Sequence, residues 1–219
     1  MNYLLWQLAD SGFPAGGFAH SGGLEAAVQH RHVTDRQTLR TFAMHALANA
    51  GRSGLPLVTA AHRNPDALAE LDRLADVFLS NPVANRASCA QGRAFLLGAT
   101  RSFPDAALTE IDDRVQLDRL ACHYAPVFGV ILHRLRIHLT DTQRLFLYLA
   151  GRGISSAAVR LGLIGAYDAQ ELQAMLAADV DRVVERCAGL EPLDIANTAP
   201  LIDLFQSTHD RLYSRLFQS

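Results

Sequence analysis

The stretch SGFPAGGFAHSGGLE, residues 11–25, concentrates glycine near the start of the chain. Glycine-rich loops that lead into a helix cradle phosphate groups in many nucleotide-binding proteins. A phosphate loop of that kind needs a lysine, and this sequence contains none. A dinucleotide fingerprint needs glycines at the first, third and sixth positions, whereas here they form pairs at 16–17 and 22–23. We therefore interpret the stretch as a sharp connection, in which Pro14 stiffens the backbone and glycines permit positive φ or close backbone approach.

Histidine is the residue type best suited to bind a metal in this chain. His30 and His32 lie two residues apart, and Cys122 is adjacent to His123. The sequence has neither a His-Glu-x-x-His motif nor a Cys-x-x-Cys motif, which are stronger signs of a zinc-type site. We predict no resident metal or cofactor, with His30 and His32 as weak metal candidates. A helical metal-binding protein or enzyme, built on those two histidines with His20 and the Cys122–His123 pair, stays open as an alternative.

The sequence contains no complete set of residues for nucleophilic or acid–base catalysis. Ser155 and Ser156 lie in GRGISSAA, which lacks the G-x-S-x-G elbow of serine hydrolases. Asp112 and Asp113 are adjacent, so on a helix they would point in different directions. We predict that the protein is not an enzyme. A ligand-binding helical regulator is a further alternative, although no basic helix-turn-helix supports DNA binding.

Composition limits the remaining classes of function. The chain has 219 residues, is 49% hydrophobic and carries a net charge of −2, which fits a globular protein and argues against nucleic-acid binding. The three cysteines are far apart, as expected in a reducing compartment. The first residues lack the basic region of a signal peptide, and no apolar run approaches the roughly 18 residues of a membrane span. We predict a cytoplasmic protein that binds neither nucleic acid nor membrane.

The spacing of apolar residues is helical along most of the chain, which predicts one all-α domain over residues 1–219. We expect a bundle of roughly eight to ten helices. Helical patterns cover residues 65–79 and 168–190, and weaker ones cover 85–102, 124–138 and 200–216. The alternating LRIHL stretch is interpreted as the end of a helix, because a lone strand would have no partner.

Local signals predict where several helices start. Asn64 is a natural N-cap before Pro65. Thr34 with Gln37, and Thr140 with Gln143, have the spacing of a capping box. Ser21 is expected to cap a short helix that begins near residues 23–24. Residues 102–113 are expected to form a loop.

Two further stretches are candidates for contact with another protein. Arg160 is embedded in the small-residue segment SSAAVRLGLIG, where it must find a partner or reach solvent. The segment 201–219 stays amphipathic to the end of the sequence, although chain ends usually fray unless they are held. We expect this tail to dock on the protein's own core or on a partner.

Five stretches in this order resemble the family of the urease accessory protein UreF. They are QLADSGFPAGGFAHSGGLE, RASCAQGRAFL, HYAPVFGVI, SSAAVRLGLIGAYDAQ and HDRLYSRLFQS, and together they extend over the whole chain. Each stretch alone is a weak signal, but all five in sequence are specific.

The resemblance implies an all-α homodimer without catalytic activity of its own. Members of this family bind the accessory protein UreH, also called UreD, recruit the nickel-carrying GTPase UreG and dock on apo-urease. They support nickel insertion and are thought to regulate the GTPase step. The family's tail becomes ordered on UreH, which maps onto residues 209–217 here. The candidates for partner binding come from the glycine-rich loop and the tail, together with the embedded arginine. They are Pro14, Gly16, Gly17, His20, Ser21, Gly22, Glu25, Arg160, His209, Tyr213, Arg215, Leu216 and Phe217.

Overall fold

The structure is a computed structural model that describes residues 3–219, apart from the side chain of Ala106. The predicted all-α fold is confirmed, and no strand occurs in the described range. The α-helices are α1 (Tyr3–Ala9), α2 (Leu24–Gln29), α3 (Arg36–Ser53), α4 (Leu55–Arg63), α5 (Leu68–Phe78), α6 (Pro82–Ser102), α7 (Ala106–Leu117), α8 (Tyr124–Arg134), α9 (Leu139–Arg160), α10 (Ala166–Cys187) and α11 (Pro200–Thr208). Short 3₁₀ turns lie at Gly17–Ala19, Pro65–Ala67, Pro192–Asp194 and His209–Arg211.

Helix α8 is the centre of the bundle and packs against α4 and α6. All its residues from Pro126 to Leu132 are buried, which explains why YAPVFGVIL is apolar on every side. Gly129 allows the close approach to α4, because a Cβ at this position would lie 2.4 Å from the carbonyl oxygen of Val58. Around this centre, α9 packs against α10 and α3.

Helical periodicity located most elements correctly but missed α7. The expected loop over 102–113 is wrong beyond residue 105, because Asp105 caps α7 by accepting a hydrogen bond from the N–H of Ala107 at 2.9 Å. Leu108 and Ile111 are buried on the inner face of this helix. The expected helix over 124–138 ends earlier, at Arg134, and α9 begins five residues later.

Several predicted caps lie one or two residues from the observed ones. The capping box of α3 is formed by Asp35 and Thr38, not by Thr34 and Gln37. Helix α9 begins at Leu139, so Thr140 lies inside it. The tail pattern over 200–216 is helical only as far as the 3₁₀ turn that ends at Arg211.

Among the described residues, no helix combines the length and the apolar character needed to cross a membrane.

Candidate partner-docking surface

The last residues of the sequence return to the glycine-rich stretch near its start. The N–H of Gln218 donates to the carbonyl oxygen of Ala19 at 2.8 Å, and the N–H of Ser21 donates to the carbonyl oxygen of Ser219 at 2.6 Å. The Ser21 hydroxyl also donates to the Ser219 carbonyl at 3.2 Å. We call the surface formed by residues 16–25, Arg160 and residues 209–219 the clasp.

The buried carboxylate of Glu25 binds the tail through hydrogen bonds. Its side chain is buried, and its Oε1 accepts a hydrogen bond from the N–H of Leu216 at 2.6 Å. Its Oε2 accepts from the N–H of Phe217 at 3.2 Å and lies 3.1 Å from Nε2 of His209. A buried carboxylate is costly unless donors satisfy it, and all three of these donors come from the tail.

His209 is fully buried and contacts Glu25 with one ring nitrogen. Its other nitrogen, Nδ1, has no hydrogen-bond partner among the described residues. The ring is therefore oriented by Glu25 and by packing, and the 3₁₀ turn that begins at His209 is fixed over the carboxylate.

Arg160 connects α9 to both halves of the clasp. Its guanidinium carbon lies 3.8 Å from the ring centre of Phe18 and 4.1 Å from that of Phe217. One Nη1–H group donates to the carbonyl oxygen of Phe18. A guanidinium this close to the face of an aromatic ring gains cation–π stabilisation, and Arg160 has two such rings.

Glycines let the loop pack tightly on two helices. Gly16 has φ +73°, and a Cβ there would lie 2.8 Å from the Cβ of Ala94 on α6. Gly23 has φ +87°, and a Cβ there would lie 2.9 Å from the carbonyl oxygen of Ile202 on α11. The interpretation as a sharp connection with positive φ is confirmed at these two positions.

His20 and Ser21 supply the polar side chains of the loop. The Nδ1 of His20 lies 2.6 Å from the Ser219 hydroxyl oxygen. Burial, with a smaller contribution from nearby His209, lowers the pKa of His20 below its ordinary value of 6.5. The hydroxyl of Ser21 accepts a weak hydrogen bond from the N–H of Glu25 at 3.4 Å, close to the capping role expected for it.

The predicted partner-binding residues divide into buried and exposed groups. Pro14 lies against Gly98 of α6 but is itself exposed, as is Gly22. Ser21, Glu25, His209 and Phe217 are buried within the clasp. Tyr213 is fully exposed, Leu216 is 51% exposed, and Arg215 forms a long ion pair with Asp210 at 3.6 Å. The exposed group is the part of this surface that another protein can touch, and Leu201 and Leu204 of the preceding helix α11 are exposed as well.

The histidines proposed as metal ligands do not converge. Among residues 3–219 there is no group of three or more His, Cys, Asp or Glu side chains placed to hold a metal ion. The ring of His32 instead packs against Phe205 at 4.8 Å, and His30 is exposed. His30 and His32 therefore do not share such a group among the described residues.

The Cys122–His123 pair has a structural role. The backbone N–H groups of Cys122 and His123 both donate to the buried carboxylate of Asp72, at 3.3 and 2.6 Å. Burial raises the pKa of the Cys122 thiol to about 12, so it stays protonated and is a poor metal ligand at neutral pH. The Nε2 of His123 lies 3.2 Å from Oδ1 of Asp76.

The sequence did not indicate Phe18, Gln218 or Ser219 as parts of the site. Gln218 and Ser219 take part through their backbone, which side-chain types do not reveal. Phe18 itself gave a weak signal, since an aromatic ring among glycines and alanines gains from a group to stack on.

Comparison with known proteins places this chain in one family. The family model described as UreF matches residues 33–177. The chain is 38% identical to urease accessory protein F of Oryza sativa subsp. indica, covering 97% of this chain and 83% of the relative. It is 37% identical to urease accessory protein F of Arabidopsis thaliana, covering 100% and 93%, and 28% identical to urease accessory protein UreF of Bacillus sp. (strain TB-90), covering the full length of both. These matches define the class, that of the urease accessory proteins. The chain belongs to the UreF family.

Proposed function

We propose that this chain is a non-enzymatic scaffold for urease maturation. In this role it forms a homodimer, binds a UreH/UreD-type partner, recruits the UreG GTPase and regulates its GTPase step. The assembly then docks on apo-urease and supports nickel insertion. Nickel is cargo here, and the scaffold needs no cofactor of its own.

The observation that carries this proposal is the clasp. The glycine loop and the tail, each a partner-binding candidate from sequence, meet at one surface around Glu25. Tyr213 and Leu216 are exposed on this surface. An exposed apolar patch with a polar rim is typical of a protein–protein interface.

The buried and exposed residues would have different roles in such an interface. Tyr213, Arg215 and Leu216 would contact the UreH-type partner directly. Gly16, Gly17, His20, Ser21, Arg160, His209 and Phe217 would shape the surface on which that contact occurs, together with Glu25. Pro14 and Gly22 are exposed on the loop and would lie at the edge.

The cytoplasm is the compartment we propose. All three cysteines are free, at 89, 122 and 187, as expected where thiols are kept reduced.

Co-purification with the UreH homologue of the same organism tests the proposal, with complex mass determined by light scattering. The intact chain and a chain truncated before His209 are compared, and the double substitution Tyr213→Ser with Leu216→Ser serves as a milder variant that keeps the clasp closed. We expect a stable complex with the intact chain and its loss with both variants. A well-behaved monomer that ignores UreH would overturn the proposal. Equal binding by all three proteins would remove the tail from the interface.

A further inference from the structure

A cleft of about 870 Å³ runs along α9 beside the clasp. The glycine-rich stretch from Ser11 to Phe18 forms one wall, and the start of α10 forms another. Phe217 of the tail lies at the same cleft, so closure of the clasp completes it. We call this space the α9 cleft.

The charge on the walls of the α9 cleft has one sign. Arg152 and Arg160 both line it, as does His20, and no aspartate or glutamate occurs among its described lining residues. The rest of the lining is mainly apolar or uncharged, including Phe13, Tyr148 and Gln173. A half-enclosed space with cations and no counter-charge favours a negatively charged occupant.

Neither arginine has a carboxylate partner among the described residues. Arg152 donates to the carbonyl oxygen of Ala9 and lies 6.0 Å from the ring centre of Tyr148. Arg160 donates to the carbonyl of Phe18 and lies over the rings of Phe18 and Phe217. Arg144, also on α9 but outside the cleft, pairs with Asp181 at 2.8 Å. The remaining in-plane N–H groups of Arg152 and Arg160 are suited to a carboxylate, which a guanidinium binds with two parallel hydrogen bonds.

The spacing of the two arginines indicates the form of the occupant. Eight residues along a helix correspond to about 12 Å. An extended peptide covers this distance in three to four residues, at about 3.3 Å each. Apolar walls between the arginines suit the intervening side chains. A polyphosphate or nucleic acid would call for a denser array of cations than two arginines in a protein of net charge −2.

We propose that the α9 cleft binds an extended acidic segment of a partner protein. One carboxylate pairs with Arg152, and a second, three or four residues away, pairs with Arg160. This inference rests on the scaffold function proposed above and adds a contact separate from the exposed tail residues. Because Phe217 holds Arg160 in place, the segment binds tightly only while the clasp is closed.

Selection from a random peptide library displayed on phage tests the proposal, with the full-length chain as bait. Enriched peptides are then synthesised with a fluorescent label, and their affinity is measured by fluorescence anisotropy. We expect enrichment of peptides that carry two acidic residues three or four positions apart. Replacing either acid by its amide should weaken binding by about tenfold or more.

Variants of the chain show whether these peptides bind in the cleft. Arg152→Gln and Arg160→Gln should each weaken binding about tenfold or more, whereas the matched control Arg144→Gln on the same helix should leave it unchanged. Truncation before His209 should weaken it as well. Circular dichroism confirms that each variant is folded. Arg160→Gln removes a contact of the clasp itself, whereas Arg152→Gln leaves the clasp contacts intact, so Arg152→Gln tests the cleft alone.

Three results would overturn the proposal. In the first, the selected peptides lack acidic residues. In the second, acidic peptides bind Arg152→Gln and Arg160→Gln as tightly as the unmodified chain. In the third, inorganic phosphate perturbs the side-chain NMR signals of both arginines while no acidic peptide is enriched, which would assign the cleft to a small anion. The selection needs no UreH homologue, so its failure is distinguishable from failure of the scaffold function.

Discussion

The carboxylate of Glu25 lies 3.1 Å from Nε2 of His209, although 184 residues separate the two positions in the sequence. Both side chains are buried, and the same carboxylate accepts two backbone hydrogen bonds from the tail. This relationship joins the first short helices of the chain to its last residues. The glycine-rich loop and the tail, which are far apart in the sequence, therefore form one surface.

Replacing Glu25 by glutamine should release the tail. Glutamine keeps the shape of the side chain but loses the charge that strengthens three hydrogen-bond contacts. We therefore expect the free energy of unfolding to fall by about 2 kcal/mol. Chemical denaturation measures this loss, and hydrogen exchange should show faster exchange at residues 216–218. The exposed Glu185→Gln provides the control. Unchanged protection of the tail amides in Glu25→Gln would contradict this role.

Arg160→Lys should loosen the clasp while the positive charge is kept. A lysine ammonium cannot stack flat between Phe18 and Phe217, so we expect a loss of about 1 kcal/mol, measured by thermal unfolding. Arg144→Lys on the same helix should change stability very little. Equal melting temperatures for both variants would show that stacking does not contribute.

Three glycine substitutions separate backbone strain from steric overlap. In Gly16→Ala the new Cβ is strained by a positive φ and also overlaps the side chain of Ala94. In Gly22→Ala it is strained by a positive φ but has open space around it. We expect Gly22→Ala to cost about 1 kcal/mol and Gly16→Ala clearly more. Gly153→Ala, inside α9 with nothing within 4 Å, should stabilise by about 0.5–1 kcal/mol. Denaturant titration ranks the three, and a Gly16→Ala variant no less stable than Gly22→Ala would exclude tight packing of the loop on α6.

Acidification should weaken the clasp through His20. Its pKa in the folded chain is lowered below 6.5, mainly by burial, so the unfolded chain binds more protons as the pH falls below that value. Stability is therefore fully present above about pH 6.5 and declines as the pH falls through the lowered pKa. Burial likewise lowers the pKa of His62, which acts in the same direction. Unfolding free energies measured between pH 7 and pH 5 should decrease, and His20→Gln should reduce the slope.

Helical periodicity predicted most of the bundle because apolar side chains at helical spacing must be buried on one face. It missed α7, because the apolar pattern of Leu108, Ile111 and Val115 is short and is interrupted by acidic residues, which favour a solvated loop. It also misplaced caps by a residue or two, because several Ser, Thr and Asp side chains compete for each helix start.

The clasp itself could not be derived from residue types. Its central pairing joins backbone groups of residues 19–21 and 218–219, and backbone contacts leave no pattern in the sequence. Resemblance identified the loop and the tail as candidates, but not their contact with each other. Glu25 was a further signal, because an acidic side chain in a mainly apolar helix of six residues requires donors from elsewhere if it is buried.

The affinity of Glu25→Gln for the UreH homologue shows whether the loop and the tail form one docking surface. Glu25 is buried and cannot touch a partner, so it affects binding only if loop and tail act as one surface. Isothermal titration calorimetry should show a complex weakened by about tenfold or more relative to the intact chain, with Glu185→Gln unchanged. If Glu25→Gln binds as tightly as the intact chain while hydrogen exchange shows its tail released, the clasp is not the docking surface and the account is contradicted.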